Sequence, residues 1–510
     1  MIILYHNHYR ITQAISSAGH TISHEVNQNI THGILRLASQ YPDEILVWCH
    51  ESLAESLNIG RIESLFHHHR FLFSYQPKGQ YLGRELGYIE DSPYVQVNKT
   101  VRYATWQMSS VVGAVHASVL NVTLCKPESN FDYFLNSLAK RAMPQGIFCY
   151  SEPQLLSAAS ISQPTPQATL FQLFRFTKQH YKTRWVFLLF FNLILFEKRW
   201  AILPLLRCLC YQKRRVSGNP WESVYSTSVK NIVSSGTIDV LIPTMGRKNF
   251  LRNVLSNLAA QTHLPVNVII IEQNPEPDSI SDLNFIQKES WPFTIKHQFT
   301  HQSGACNARN MGLALVESEF CFMADDDIVF ENDLLAKALH HFTTTGNEVF
   351  LVACHLPNQK VETQAPKQFP VFGAGHAFVK SSCVRDIRFR MGYEFGFGED
   401  NDFGMQLRYN GYDILYISTS KILHLKAPIG GFRTQPVLRW QQQKVLPKPS
   451  PTLMLFRLLY DTKEQLRGYK TTLFFKNITK RFFINPIHCI KTFNQKWNAS
   501  VYWAQQLKKE

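Results

Sequence analysis

The stretch "SEFCFMADDDIVFEND", residues 318–333, sets a buried strand directly before a run of acids. Five apolar or small residues, 320–324, lead into Asp325, Asp326 and Asp327, and the apolar pattern then resumes. Adjacent carboxylates repel one another, so a folded site must offset that repulsion with a cation, hydrogen-bond donors or water. A metal ion and a solvated turn are both compatible with the stretch taken alone.

Around this stretch, residues 238–425 alternate between strand-like and helix-like segments. "IDVLIPTM" and "NVIIIEQN" are buried, β-branched runs, and the segment between them carries Leu251, Leu255 and Leu258 at helical spacing. This order predicts an α/β fold with a mostly parallel sheet and helices on both faces. Ligands of such sheets bind at the carboxyl ends of the strands, which is where the three Asp residues are predicted to lie.

A second acidic cluster follows in "FGFGEDNDFGMQLRYNGYDILYISTSKILHLKA", residues 395–427. Glu399 and Asp400 stand at the start of a predicted helix, and Gly411 fits its carboxyl-terminal cap. Acids at a helix start often only complement the helix dipole. These acids are, however, predicted to share one rim of the sheet with the Asp run. His424, at the end of the next strand, gains interest as a metal ligand only through that neighbourhood.

Length and composition limit the class of protein. A chain of 510 residues is too long for one ordinary core, which favours two or three domains, and 45% hydrophobic with 18% charged residues indicates a globular protein. The ten cysteines show no paired CxxC spacing, so reduced thiols in the cytosol are expected. The start "MIILYHNHYR" lacks the features of a secretory signal.

The positive charge is concentrated in two segments. Residues 171–215 hold ten Lys or Arg and one Glu, and residues 431–510 hold fifteen against three acids. Such patches attract anionic lipid or phosphorylated ligands; nucleic acid is disfavoured because no reader motif accompanies the charge. The apolar run at 185–196 is shorter than the about 20 residues of a spanning helix. Packing between domains and peripheral association with an anionic membrane both remain open for these segments.

The first 150 residues echo the later region. "DEILVWCHESLAESL" at 43–57 resembles the stretch at 318–333, and "SVVGAVHASVLNV" at 110–122 shares Gly-Ala-x-His-Ala with "PVFGAGHAFVKSS" at 370–382. We therefore expect a degenerate, non-catalytic copy of the later domain. The predicted division is given by four ranges: 1–150 for the copy, 151–235 for a helical basic connector, 236–430 for the catalytic domain, and 431–510 for a basic amphipathic helical extension.

Six pieces in chain order carry a family resemblance: "VLIPTMGR", "VIIIEQN", "SGACNARNMGLAL", "FMADDDIVF", "GAGHAF" and "FGEDNDFGMQLRYNGYDILY". Together they resemble glycosyltransferase family 2, whose members have the Rossmann-like GT-A fold. The Asp-x-Asp corner followed about 75 residues later by a Glu-Asp pair is the specific combination. The resemblance covers residues 238–425, and "KPSPT" with "KEQLRGYK" in the tail resembles an extension of some bacterial members.

The resemblance implies roles for particular residues. Asp400, with Glu399 beside it, is the expected catalytic base, and Asp325, Asp327 and His424 are the expected metal ligands. The residues expected to contact the sugar nucleotide are Pro243, Thr244, Arg247, Glu272, Asn307, Arg309, Asp325 and Asp326. Glu272 departs from the family, which usually has Asp there.

The chemistry of the residues agrees with these roles. Loss of a nucleoside diphosphate builds negative charge that Mn²⁺ or Mg²⁺ stabilises, and the acceptor hydroxyl needs a carboxylate base. The expectation is a cytoplasmic inverting transferase, at the inner face of the membrane if its acceptor is lipid-linked, that moves a sugar from a nucleotide-diphosphate sugar to a glycan or lipid-linked hydroxyl in bacterial cell-surface polysaccharide synthesis. The alternative is a non-catalytic scaffold that binds carbohydrate or nucleotide.

Overall fold

The computed structural model describes residues 1–22, 25–122, 125–157, 166–428, 436–478 and 483–509. The chain divides into two compact units. The first comprises Met1–Val229 and Asp461–Asn477, and the second comprises Lys230–Tyr460 and Ile478–Glu510. The helical part of the predicted connector thus belongs to the first unit, while its Ser- and Pro-bearing start at 158–165 lies outside the described residues, as do parts of the predicted tail at 431–435 and 479–482.

The strands and helices are numbered along the chain. The strands are β1 Ile2–His6, β2 Ile11–Ser16, β3 Ile45–His50, β4 Phe71–Tyr75, β5 Tyr103–Ala104, β6 Val112–His116, β7 Phe148–Ser151, β8 Ile238–Thr244, β9 Asn267–Gln273, β10 Thr294–Thr300, β11 Phe320–Ala324, β12 Ile328–Phe330, β13 Val349–His355, β14 Lys367–Gln368, β15 His376–Lys380 and β16 Leu415–His424. The helices are α1 Ile30–Gln40, α2 Ile59–Leu65, α3 Ala117–Leu120, α4 Phe131–Ala142, α5 Leu170–His180, α6 Arg184–Asn192, α7 Ile202–Leu209, α8 Lys248–Ala259, α9 Phe285–Lys288, α10 Ala305–Leu313, α11 Leu334–Thr345, α12 Glu399–Tyr409, α13 Pro451–Tyr460, α14 Lys463–Lys476 and α15 Pro486–Leu507.

The sheet of the second unit is parallel on one side and mixed on the other. Its order is β10-β9-β8-β11-β15-β13-β16-β12, with β14 also pairing with β16. The first four strands run parallel, β15 is antiparallel to both of its neighbours, and β13 runs parallel to β16. The carboxyl ends of β8 and β11 therefore lie at the same edge, and the three consecutive acids follow β11 there.

The strands and helices of this unit form where the apolar pattern of the sequence predicts them. Every residue of β9 and β11 is buried, as befits strands covered on both faces. In α8, the predicted stripe of Leu251, Leu255 and Leu258 is fully buried, and Gly411 has a positive φ of 90° just past the end of α12. The predicted α/β class is confirmed, with a sheet and flanking helices in each unit.

The first unit repeats the core of this sheet. Its strands lie in the order β2-β1-β3-β6-β4-β7-β5. From β1 to β5 the neighbours run parallel, antiparallel, antiparallel, parallel and antiparallel, which is the same sequence of directions found along β8-β11-β15-β13-β16-β14. The copies differ beyond that core, because β2 is antiparallel to β1 whereas β9 is parallel to β8. The two sheets therefore share a run of six strands with the same directions, and common descent of the two units stays a prediction.

The two sequence echoes do not fit one strand register. If β3 is laid on β11 as the sequences suggest, Cys49 corresponds to Ala324. Val112 pairs with Cys49, and His376 pairs with Ala324. The partner of His376 in the first unit is then Val112 and not His116, so the Gly-Ala-x-His-Ala match is four residues out of register with the sheets.

No helix among the described residues is both long and apolar enough to cross a membrane. The run at 185–196 forms α6 and a following π-helical turn, Leu193–Glu197.

Candidate active site

The three acids after β11 open onto a cavity of about 600 Å³ at the carboxyl edge of the second sheet. Residues from distant parts of the sequence line it together. Of the residues predicted for the site, it brings together Pro243, Thr244, Arg247, Arg309, Asp325, Asp326, Asp327, Glu399, Asp400 and His424. The Asp corner and Asp400 thus share one pocket.

Asp326 is held by the first loop of the unit. Its side chain is buried, and it accepts hydrogen bonds of 2.7 Å from Thr244 Oγ1 and from Arg247 Nη1. Burial raises the pKa of Asp326 to about 6, against the lowering effect of Arg247 and Thr244. These contacts fix the loop that follows β8 to the acid corner.

Asp327 is equally buried but has different partners. Its Oδ2 accepts the backbone N–H of Ala427 at 2.7 Å and lies 3.5 Å from Arg247 Nη1, and its Oδ1 lies 3.2 Å from His424 Nε2. Burial alone would raise the pKa of Asp327, but His424, the Ala427 amide and Arg247 outweigh it and hold the pKa below its usual value. The carboxylate form of Asp327 is therefore favoured.

Three side chains offer a cation site. Asp325, Asp327 and His424 present one ligand atom each within 4.8 Å of one another, and no other such group of His, Cys, Asp or Glu occurs in the part of the chain that the structure describes. The Oδ1 atom of Asp327 is buried, and His424 Nε2 lies beside it at 3.2 Å. Two carboxylates and an imidazole fit a divalent cation that prefers oxygen ligands.

The side chain of Asp325 fits in the cavity because residue 375 is a glycine. A Cβ added at Gly375 would overlap the Asp325 carboxylate, so only glycine leaves room for that side chain. Asp325 is 34% exposed, far more than the two acids that follow it. Of the three acids, it is the one directed to the open space of the pocket.

Arg309 joins the two acidic clusters. Its Nη2 lies 3.5 Å from Asp325 Oδ1, and its Nη1 lies 3.9 Å from Asp400 Oδ1. Burial lowers the pKa of Arg309, but the charges of Asp400, Asp325 and Glu399 together raise it above its usual value. A permanently charged guanidinium therefore lies between the Asp corner and the start of α12.

Glu399 and Asp400 are adjacent carboxylates in the first turn of α12. Burial, and then the charge of Asp400, raise the pKa of Glu399 to about 7. Burial also raises the pKa of Asp400, although Arg309 opposes this shift. The Asp400 side chain is 31% exposed, while its Oδ1 is buried and lies 3.9 Å from Arg309 Nη1. A partly exposed carboxylate with a raised pKa in a cleft has the properties of a proton acceptor.

Glu394 is a pocket residue that sequence reasoning missed. Its carboxylate accepts the backbone N–H groups of Cys306 at 3.1 Å and Asn307 at 2.8 Å, in the first turn of α10. α10 has Gly304 at its N-cap and no acid in its first turn. A helix without its own cap, together with an unassigned acid in a glycine-rich loop, was the signal available in the sequence.

Two predicted residues do not line the cavity. The Glu272 carboxylate is buried and accepts hydrogen bonds from Ser281 Oγ at 2.6 Å and from the N–H of Asp282 at 2.9 Å, with His297 Nε2 also 2.9 Å away. The side-chain amide of Asn307 donates a hydrogen bond to the backbone carbonyl of Gln302. Their contacts with a nucleotide stay predictions.

Part of the chain that forms this pocket matches a family model. Residues 239–401 match the family model described as "Glycosyl transferase family 2". An uncharacterized glycosyltransferase of Rickettsia bellii is 25% identical over 153 residues, which are 29% of this chain and 21% of the relative. One of Nostoc sp. is 27% identical over 137 residues, which are 26% of this chain and 42% of the relative. This chain spans about a fifth of the length of the Rickettsia relative that it matches.

Two solved structures are also similar. S. aureus TarS 1–349 in complex with UDP-GlcNAc is 15% identical, with a TM-score of 0.36 over 54% of this chain and 90% of that chain. GalNAc-T7 with UDP, GalNAc and Mn²⁺ is 12% identical, with a TM-score of 0.37 over 53% of this chain and 56% of that chain. TM-scores this low do not support the transfer of a ligand or a mechanism from either protein.

Proposed function

Because residues 239–401 form a glycosyl transferase family 2 domain, we propose that this protein is a metal-dependent inverting glycosyltransferase. Its donor is a nucleotide-diphosphate sugar, and its acceptor is a hydroxyl of a glycan or of a lipid-linked molecule. The observation that carries the proposal is the shared cavity, in which the Asp325 to Asp327 corner and Asp400 face one space with Arg309 between them.

The donor end of the cavity is the side of Thr244, Arg247 and the Asp corner. Arg247 and Arg309 bring positive charge to a space otherwise rimmed by carboxylates. Guanidinium groups suit diphosphate oxygens because they donate several hydrogen bonds in a plane. We assign these two arginines to orientation of the diphosphate.

Asp325, Asp327 and His424 are the proposed holders of Mn²⁺ or Mg²⁺. Their ligand atoms lie within 4.8 Å of one another, which is close enough for one ion, and two carboxylates with an imidazole are a donor set that such an ion accepts. A bound divalent cation supplies electrostatic stabilisation to the charge that develops on the departing diphosphate.

Asp400 is the proposed base. Its carboxylate accepts the proton of the acceptor hydroxyl as the hydroxyl oxygen attacks the anomeric carbon and the bond to the diphosphate breaks. Attack from the face opposite the leaving group inverts the anomeric centre. Arg309, 3.9 Å from Asp400, keeps the carboxylate ionised and oriented without itself taking the proton.

The proposed setting is bacterial cell-surface polysaccharide synthesis, at the inner face of the membrane where lipid-linked acceptors are met. Basic, partly apolar helices in the first unit favour that location.

Substitution of Asp400 by Asn tests the assignment. We expect the variant to fold and to bind donor, with kcat lowered about 10²- to 10⁴-fold, the usual value of a general base. The measurement is release of nucleoside diphosphate from a donor panel in the presence of Mn²⁺ with and without acceptor. Asp402→Asn, which alters a neighbouring acid of α12 that is bonded to Tyr460 and Gln406 outside the cavity, is the matched control.

The same assay separates an enzyme from a binding scaffold. A scaffold would bind sugar nucleotide calorimetrically and release no diphosphate, and Asp400→Asn would leave that binding unchanged. Turnover in Asp400→Asn equal to that of the parent would refute Asp400 as the base.

A further inference from the structure

The outward face of α7, in the first unit, is apolar. Pro204 and Cys208, one turn apart, are buried against the protein. On the opposite side, Leu203 is 70% exposed and Leu206 is 57% exposed, with Ile202 and Leu209 exposed next to them. A helix of a globular protein normally turns its apolar stripe to the core and polar residues to water. α7 therefore presents an apolar stripe that the described residues leave uncovered.

The preceding helix, which packs against α7, also has exposed apolar residues. Phe187, Phe191 and Leu195 are exposed and spaced four residues apart, so they form one line along α6 and its π-helical turn. Trp200, in the link between α6 and α7, is 71% exposed, and the two helices pack together. Contiguous exposed apolar patches of this kind mark sites of association.

Cations surround this apolar surface. From Lys198 to Arg215 the chain holds six Lys or Arg and no acid. Arg207 is exposed and lies over the ring of Phe171 on α5, 5.6 Å from its centroid, so a cation stands beside a further exposed aromatic residue. Arg199 and Arg214 are paired with Glu85 and Glu128, while Lys213 and Arg215 are exposed beyond α7.

The charge decides which partner fits. A second copy of the chain docked through a two-fold axis would place these cations against their own equivalents, which is unfavourable. Nucleic acid would meet the cations but would leave the leucines in water. An anionic bilayer fits both the apolar surface and the cations. Leucine, tryptophan and phenylalanine insert at the boundary of the acyl chains, while lysine and arginine contact the headgroups.

We propose that the outward face of α7, with Trp200 and the exposed line of α6, is a docking surface for an anionic lipid bilayer. Leu203 and Leu206 enter the acyl boundary, and the exposed cations Arg207, Lys213 and Arg215 contact lipid phosphates. The helix lies in the plane of the surface and does not span it. The inference stands on the first unit alone, so it and the proposed transferase activity can fail separately.

Flotation of the full chain with vesicles tests the proposal. We expect the protein to float with vesicles of phosphatidylcholine and phosphatidylglycerol at low salt, and to bind far less to phosphatidylcholine alone. The double variant Leu203→Glu/Leu206→Glu should lower partitioning of the protein onto the vesicles at least about tenfold, since it removes two apolar side chains that the bilayer would bury. The control Val229→Glu/Val437→Glu adds the same charge at exposed apolar positions elsewhere and should bind like the parent.

Three results would overturn the proposal. The first is a parent chain that does not float with anionic vesicles at low salt. The second is a Leu203→Glu/Leu206→Glu variant that floats like the parent. The third, seen by sedimentation without vesicles, is a parent dimer that the variant converts to monomer, because the face would then be an interface between copies. Matching circular dichroism of the variants shows that their folding is unchanged.

Discussion

Three adjacent aspartates have three different environments in this pocket. Asp326 accepts hydrogen bonds from Arg247 and Thr244. Asp327 accepts one from the backbone N–H of Ala427 and lies 3.2 Å from His424. Asp325 remains more exposed and has only the longer contact to Arg309. The repulsion that the sequence implies is therefore offset by donors already within the protein, and one carboxylate is left to face a ligand.

The Glu399 and Asp400 pair makes a pH prediction. The charge of Asp400 raises the pKa of Glu399. Repulsion between two adjacent carboxylates is mutual, so Glu399→Gln, by removing one charge, should make Asp400 easier to ionise and lower its pKa. Activity that needs ionised Asp400 is lost as pH falls through that pKa, and the acid limb of kcat/KM should move to lower pH in the variant. The measurement is a pH profile of kcat/KM at saturating Mn²⁺.

An acid limb that stays in place in Glu399→Gln would mean that the two carboxylates do not interact in the free enzyme. Loss of all turnover at every pH would instead exchange their roles and make Glu399 the base. Glu399→Asp, which keeps the charge, is the control and should keep the parent profile.

Sequence reasoning finds pocket residues when they stand next to a strand end or a helix start. Asp325, Asp327, Asp400 and His424 do so, and all of them line the cavity. Glu394 was missed because its partners are backbone N–H groups of α10, and the only sequence signal for them is indirect, namely a helix start that has no capping residue of its own.

At the scale of elements, α10 is the piece that carries Arg309 into the site. Gly304 is the N-cap of the helix. Its φ of 138° favours glycine, and an added Cβ would overlap the Glu394 carboxylate. Glu394 thus closes the helix start and ties it to the loop that precedes α12. The position of Arg309 depends on this contact through the helix.

Substitution of Glu394 by Ala should therefore act on both stability and activity. Loss of the helix cap predicts a fall of about 1–2 kcal/mol in the free energy of unfolding, and kcat/KM should fall as Arg309 loses its fixed position. Urea unfolding and donor kinetics measure the two effects. Glu394→Gln keeps one carbonyl acceptor and should lose less of each. Equal stability and activity in the Ala variant and the parent would contradict this role.

Buried strands are the elements that sequence predicts best. β8, β9 and β11 are continuous apolar runs, and their positions follow from composition. Strand direction does not, because a run of buried residues is the same whether its neighbour is parallel or antiparallel. The reversed strand β15 and the two-residue strands β5 and β14 depend on pairings between distant segments and had no sequence signal.

For the whole molecule, the order of the chain and the division into units do not coincide. α14, from the predicted tail, belongs to the first unit, while α15 belongs to the second. In the first unit Gln465 Nε2 donates to the carbonyl of Glu90 at 3.1 Å, and Thr471 Oγ1 donates to Asn192 Oδ1 at 2.8 Å. The sequence predicted a basic amphipathic helix here, but helical periodicity does not state which core a helix joins.

Gly468 tests how closely α14 is packed. A Cβ at this position would overlap the backbone carbonyl of Tyr88, which cannot move aside as a flexible side chain could. Although Ala favours a helix over Gly by about 1 kcal/mol, Gly468→Ala should lower the free energy of unfolding by about 1–3 kcal/mol through overpacking. Calorimetry of the full chain measures the change.

The matched control is Gly60→Ala in α2 of the same unit. No atom lies within 4 Å of its added Cβ, so that substitution should be neutral or stabilising by up to about 1 kcal/mol. Equal effects of the two substitutions would show that α14 does not approach Tyr88 so closely.

The late position of α14 has a consequence for synthesis on the ribosome. Domains usually fold as units while the polypeptide emerges, amino-terminal part first. Here the first unit lacks its last helix until Asp461–Asn477 has been translated, after all of Lys230–Tyr460. A nascent chain therefore has the complete sheet of the second unit before it can finish the first, and premature termination near residue 460 would leave the surface around Tyr88 exposed to chaperones or proteases.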